Sequence, residues 1–217
     1  QIETDGKKKK IVLEPIWAYP YFDKYIWDHY DKVIMMSGTF LNKEMVCYLN
    51  GIPVDEAVYY NIESPFLPKN RPIYYMPLGK MTYREKENTF NTKYIPVLKK
   101  ILKKYHDKKG ILHSVTFELQ NWVKESLNEE ERLLYHTSDQ ESKRDTLKTL
   151  YTSDRPIVVV SPSMGTGIDL KDDRARFQVL LKMPYPSLAS QKNKLRMADN
   201  PEWYGWVTVT KIIQIYG

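Results

Sequence analysis

The chain has 217 residues, 42% of them hydrophobic, with a net charge of +6 and a mean hydropathy of −0.55. That length and apolar content predict a soluble protein with a real core, holding one good-sized domain or one domain plus an appendage. The lone Cys47, the absence of a membrane-length apolar run and the polar opening exclude a disulfide framework, a thiolate metal or iron–sulphur site in this chain, a membrane span and a secretory leader, and so predict an intracellular, reducing setting.

Residues 1–10 read as a polar, flexible lead ending in lysines. Residues 11–30 are aromatic-rich and broken by Pro15 and Pro20, which predicts an irregular packed segment with a short helix near 23–30. Val33, Ile34, Met35 and Met36 spell a short buried strand ending at Ser37-Gly38-Thr39. Two more strand-like runs follow at 57–62 and 71–76, with a turn-rich stretch between them.

Regular alternation then begins. Tyr94, Leu98, Ile101, Leu102 and Tyr105 share one helical face, and Lys99, Lys100, Lys103 and Lys104 take the other. Strands are predicted at 111–115, 133–136, 157–160 and 177–181, the third a β-branched run of the kind buried on both faces. Helices are predicted at 116–127, at 140–150 with Ser138 or Asp139 as cap, and at 206–216. The β-α-β-α-β order implies an α/β fold with a parallel, right-handed, doubly wound sheet.

The stretch with most chemistry in it is residues 161–187, SPSMGTGIDLKDDRARFQVLLKMPYPS. A loop of small residues at the carboxyl end of a buried parallel strand is where open α/β sheets bind phosphate-bearing ligands. Its amides and hydroxyls could cradle the phosphates of a nucleotide or of a nucleic-acid backbone, or form an ordinary glycine-rich turn. Asp169 could orient a ribose hydroxyl, or cap a helix. Ser161-Pro162-Ser163-Met164-Gly165 approximates a nucleophile elbow, but the first glycine is missing and no histidine follows His136, so a hydrolase is excluded. No Walker loop is present, so a self-contained ATPase site is excluded too. The four histidines lack metal-ligand spacing. The lysines at 99–109 are able to track a phosphate backbone, though a solvated helix face is the commoner use of such a pattern. Trp203-Tyr204-Gly205-Trp206 suits base stacking or a core anchor equally, and Asp55-Glu56 reads as surface charge.

Taken together, these residues resemble the second motor domain of a superfamily 2 helicase of the XPD/DinG-like branch. Residues 33–41, VIMMSGTFL, resemble motif III, and Ser64-Pro65-Phe66 the Ser-Pro-Phe that follows it. Residues 110–119, GILHSVTFEL, resemble motif IV. Motif V and its extension are matched by Gly167-Ile168-Asp169-Leu170, Asp173, Arg176-Phe177-Gln178 and Pro184-Tyr185-Pro186. Trp203-Tyr204 and Gln214-Ile215-Tyr216-Gly217 resemble the run into motif VI, before its two arginines. Thr166 stands where motif V usually carries Glu.

The resemblance implies a RecA-like domain with helices on both faces of its sheet. It implies a division into residues 1–45, a lead and motif III strand continuing from a first motor domain, and residues 46–217, a second RecA-like domain truncated within motif VI. By resemblance, Gly167, Asp169 and Gln214 face the nucleotide, and Ser37, Gly38 and Thr39 couple ATP state to DNA grip. Ser114, Thr116, Phe117, Ser161 and Ser163 contact the strand. The implied cofactors are ATP and Mg2+, held mainly by the first motor domain; an iron–sulphur cluster belongs, if anywhere, to the parent and not to this chain. The implied partner is single-stranded DNA, gripped by a monomeric 5′ to 3′ helicase that is cytoplasmic in a prokaryote or phage and nuclear in a eukaryote. The fragment alone is then inactive. A non-catalytic nucleic-acid-binding or protein-docking module that retains the fold is the alternative.

Overall fold

Val158, Val159 and Val160 are wholly buried, because both faces of the strand that carries them are covered. In the computed structural model of the protein, residues 2–5, 8–11, 13–65, 67–81, 84–168 and 170–216 are described, the first two stretches by backbone alone. The elements in chain order are β1 (Ile2–Asp5), β2 (Lys8–Ile11), α1 (Phe22–Tyr25), α2 (Lys43–Asn50), α3 (Lys86–Thr89), α4 (Ile95–Lys104), β3 (Gly110–His113), α5 (Phe117–Ser126), β4 (Leu133–Tyr135), α6 (Gln140–Thr152), β5 (Val158–Ser161), β6 (Phe177–Leu180), α7 (Gln191–Asp199) and α8 (Pro201–Tyr216). They fall into two compact units, residues 1–63 with 185–213 and residues 64–184 with 214–217.

The second unit is built on a four-stranded sheet in the order β4-β5-β3-β6. All its pairings are parallel, with Ile111 opposite Val159 and Gln178, and Leu134 opposite Val159. Successive strand residues point to opposite faces. Leu112, Val158 and Val160 join Leu98, Leu102, Leu119 and Val123 from α4 and α5. Ile111 and Val159 join Leu150 of α6 and Met164 on the other face. This is the expected α/β, RecA-like doubly wound sheet with helices on both sides. Burying one valine side chain contributes roughly 1.5–3 kcal/mol, against about 0.5–1.5 for a typical hydrogen bond, so packing on the two faces dominates.

Polar groups tie the helices to the strands. Thr116 caps α5 by accepting from the Leu119 amide, and Asp139 caps α6 by accepting from the Ser142 amide. The Arg132 guanidinium donates to the carbonyls of Leu102, in the last turn of α4, and of Tyr105 and His106 just after it. Helix α4 is preceded by α3 and by a π-helical turn, Phe90–Tyr94, whose Phe90 is wholly buried.

The first unit is held by aromatic packing around Trp17, Met45 and Trp203. The Trp17 indole and the Tyr48 hydroxyl both donate to Asp199 Oδ2, at 2.7 and 3.0 Å. The Arg196 guanidinium lies over the rings of Trp17 and Trp203 at 4.9 and 5.4 Å. Trp203 is therefore a core anchor.

The strand and helix pattern expected from residue 94 onward is present, within a residue or two at most boundaries. The structure differs elsewhere. The lead forms a backbone hairpin, β1 pairing antiparallel with β2, Ile2 opposite Ile11. Helices α2 and α7 were not expected. Asn42 caps α2 by accepting from the Met45 amide, and Gly51 ends it with φ 65°. The strands expected at 33–36, 57–62 and 71–76 are absent. These residues join no ladder among the described residues, and Ile34 and Met36 are 88% and 90% exposed. An apolar pattern makes a segment suited to pairing, but a strand also needs a neighbour to take its amides and carbonyls.

A Cβ at Gly110 would lie 2.5 Å from the Phe177 ring, which is itself stacked on Tyr105 at 4.8 Å. Gly110→Ala is expected to destabilise the fold by about 1–3 kcal/mol, read as a lower urea midpoint. An unchanged midpoint would show that the ring stack moves freely.

Candidate functional site

The carboxyl ends of β3 and β5 lie side by side, because the two strands are neighbours in the sheet. The Ser114 amide donates to the Ser161 carbonyl at 2.9 Å just beyond the ladder. That bond joins two sequence stretches 47 residues apart and brings both loops to one edge. Ser114 and Ser161 are themselves fully buried.

The loop after β5 turns around the Ser161 hydroxyl. Ser161 Oγ accepts from the amides of Ser163 and Met164 at 3.1 and 3.0 Å. It also lies 2.7 Å from His136 Nε2. His136 Nδ1 is 2.6 Å from the Thr137 carbonyl, which can only accept. Nδ1 is thereby assigned the proton, and Nε2 accepts from the Ser161 hydroxyl. Met164 is 1% exposed and plugs the loop into the core, while Lys143 from α6 donates to the Ser163 carbonyl at 3.0 Å. The loop is thus tied from below, and Ser163, Thr166 and Gly167 face outward.

Two glycines shape this loop for different reasons. A Cβ at Gly165 would lie 2.7 Å from Ile215 Cγ1 on α8, so the position needs close approach. Gly167 has φ 73° with open space around it, so it needs the left-handed conformation and leaves its backbone accessible. Asp169 lies outside the described residues, as does Phe66. Gln214 is exposed in the last turn of α8 and belongs to the same unit as the loop.

The loop after β3 carries strain. Val115 has φ 65°, a left-handed conformation that disfavours a β-branched residue and costs on the order of 1–3 kcal/mol. It turns the chain so that Thr116 caps α5. The Phe117 ring, 39% exposed, then stands edge-on to His136 at 6.0 Å. The Ser114 hydroxyl has no hydrogen-bond partner among the described residues. Beside Phe117 is a hollow of about 370 Å³, lined by Gln120, Lys124, Tyr135, His136 and Ser142 among others. Burial, and then Glu130, push the Tyr135 phenol up to about 12.

The structure therefore gathers Ser114, Thr116, Phe117, Ser161, Ser163 and Gly167 at one sheet edge. Ser37, Gly38 and Thr39 belong to the first unit, in a turn where the Thr39 amide donates to Ser37 Oγ at 3.1 Å. A histidine reaches this end of the sheet, but it precedes the loop in sequence, and His136 bonds the buried Ser161 and not Ser163, the elbow position. The Ser161 hydroxyl is already engaged three ways, so the pair is an anchor and not a nucleophile with its base. Val115, His136, Lys143 and Ile215 were missed, because nothing local in the sequence marks a strained valine or a histidine that bonds 25 residues ahead. Among the described residues, no group of three or more His, Cys, Asp or Glu is placed to hold a metal ion, and no helix is long and apolar enough to cross a membrane.

One family model, the helicase C-terminal domain, matches residues 99–217, more than half of the chain. No curated protein matches the sequence.

Two predictions follow the geometry of this edge. Gly165→Ala forces Ile215 aside and is expected to destabilise by about 1–3 kcal/mol, and Ile215→Ala in the same chain is expected to recover part of the loss in a double-mutant cycle. Additive effects would show that the two positions do not meet. The second concerns His113, whose Nε2 lies 2.9 Å from Gln178 Oε1. Burial holds its imidazole below the usual value, against the opposing hydrogen bond. The fold thus favours the neutral ring, and its stability is full above about pH 6.5, the ordinary histidine value. That stability is lost as the pH falls toward the depressed folded value. Urea midpoints between pH 8 and 5 are expected to decline, and His113→Gln to decline less.

Proposed function

Because the chain belongs to the helicase C-terminal domain family, we propose that it is the second motor domain of an ATP-dependent DNA helicase of the XPD/DinG-like branch of superfamily 2. In this reading a first motor domain holds most of the ATP and Mg2+, and this unit closes the cleft from the other side. Single-stranded DNA lies across the edge formed by the loops after β3 and β5, and the parent travels 5′ to 3′.

The observation that carries the reading is the Ser114–Ser161 bond, which sets the stretch resembling motif IV against the stretch resembling motif V. The loop after β5 suits a nucleotide on its own geometry, since Gly167 leaves an accessible backbone with open space above it. Gly167, Asp169 and Gln214 are assigned to that ligand, whose hydrolysis supplies the energy. The strand contacts go to Thr116, Phe117 and Ser163. Ser114 and Ser161, both buried, act through the loops they hold. Ser37, Gly38 and Thr39 form the coupling turn. Closing the cleft would move one gripping surface relative to the other. Contacts of this kind to backbone and sugar make the grip indifferent to sequence.

One observation favours a second reading. Thr166, exposed in the loop, replaces the carboxylate of the resembled motif, which suits a module that binds nucleic acid without driving ATP turnover.

The purified chain is expected to turn over no ATP above background and to bind an oligo-dT weakly in fluorescence anisotropy. The logarithm of its affinity should fall with the logarithm of salt by roughly 0.7 per phosphate contacted. ATP turnover by the chain alone would overturn the shared site, and salt-independent binding would overturn the backbone grip. Adding a first motor domain in trans separates the two readings, since only a motor domain gains DNA-stimulated turnover.

A further inference from the structure

We propose that His136 is the positioning residue of the loop after β5, and that it holds this loop in register with the amino-terminal end of α5. The inference rests on the reading above for what the loop binds, but not for how the loop is held.

The Ser161 hydroxyl has one proton to give and two lone pairs. The amides of Ser163 and Met164 occupy the lone pairs. The proton then needs an acceptor in a place without water, since Ser161 has no exposed surface. His136 Nε2, at 2.7 Å, is that acceptor. Without it the hydroxyl either leaves its proton unsatisfied or rotates to find another partner. Rotation turns its lone pairs away from the two amides that define the turn. A buried polar group left unpaired costs on the order of 1–3 kcal/mol, so the loop loses its preferred form in either case.

The same residue is tied to α5. The Gln120 side chain donates to the His136 carbonyl at 2.9 Å, and Phe117 meets the imidazole edge-on. Gln120 is 4% exposed, so this tie is also shielded from water. The loop after β5 and the first turns of α5 thus share a single fixed point at the end of β4. A histidine that merely fills core volume would need none of this polarity, which makes the proposal separable from packing by choice of variant. Gln places its Oε1 where His carries Nε2, whereas Asn places its amide only as far as Nδ1.

The test uses the full 217-residue chain. Amide hydrogen exchange at Ser163 and Met164 is measured with oligo-dT affinity and urea midpoint, for His136→Gln, His136→Asn and Ser161→Ala. His136→Gln is expected to keep both amides protected. His136→Asn is expected to speed their exchange about tenfold or more, as loss of one well-formed hydrogen bond would, without comparable change at Ile111 or Val159. It is also expected to weaken oligo-dT binding about threefold to tenfold. If His136→Asn does not fold, Ser161→Ala removes the same acceptor of the amides with almost no change in volume, and the same two amides are expected to exchange faster. Equal behaviour of the Gln and Asn variants, or unchanged protection in Ser161→Ala, would overturn the positioning role. Faster exchange with unchanged oligo-dT affinity would leave that role standing and overturn the assignment of the loop to the strand.

Discussion

Everything in the second unit depends on the parallel ladder between β3 and β5. Its residues are sealed on both faces, so no water reaches the backbone, and each amide and carbonyl must be satisfied within the sheet. The ladder therefore admits one register, in which Ile111 meets Val159 and the strands end level with each other. Slipping β3 by one residue would turn Leu112 into the face now filled by Ile111, against an unmoved Val159 and Val160. The fixed register is why the Ser114 amide finds the Ser161 carbonyl, and why the loops beyond these strands start from adjacent points. The site follows from strand pairing, and the loop sequences then decorate it.

Three departures from local rules lie at the same end of the sheet. Val115 adopts a backbone suited to glycine, the buried Ser114 hydroxyl lacks a partner among the described residues, and burial holds the His113 imidazole below its usual value. Elsewhere α2, α5, α6 and α7 each begin at a capping side chain. Departures occur elsewhere too, with a positive φ at Asp172 and buried groups at Trp206 and Thr210 unpartnered among the described residues, but strain next to a ligand-facing loop is where a functional role most often accounts for it. The carboxyl ends of the strands are where open α/β sheets commonly bind ligands. The loop after β5 answers the strain on its neighbour with a well-satisfied anchor: three contacts at Ser161, a buried Met164 and a lysine on the Ser163 carbonyl.

The first unit uses different physics. Its core is small and aromatic, with Trp17, Tyr48 and Trp203 packed at close to right angles and a carboxylate, Asp199, receiving two donors at its margin. Such rings bury large apolar area per residue, which lets short helices with little other core hold together. The extended segments of this unit keep apolar side chains in the open, Val58 and Ile62 among them. They have the composition of strands without the pairing that would make them so.

The sequence by itself determined most of the helices and strands after residue 94, α7 excepted, because that information is local: a 3.6-residue stripe in α4, a β-branched run in β5, a Thr or Asp before α5 and α6. It also carried the family, through short ordered motifs whose spacing survives in the linear chain. It failed where structure depends on a partner. The runs at 33–36, 57–62 and 71–76 read as strands because their side chains suit one, yet they pair with nothing among the described residues. Helix α2 was hidden by a weakly patterned segment, although its Asn42 cap and Gly51 stop were present to be read. Only the tertiary structure decided the strand order, and with it the meeting of His136 with Ser161 and of Ile215 with Gly165. Those contacts bridge 25 and 50 residues, and no periodicity encodes them. They arise because a buried parallel sheet fixes the ends of its strands in space, and side chains at those ends bond to whatever the topology delivers.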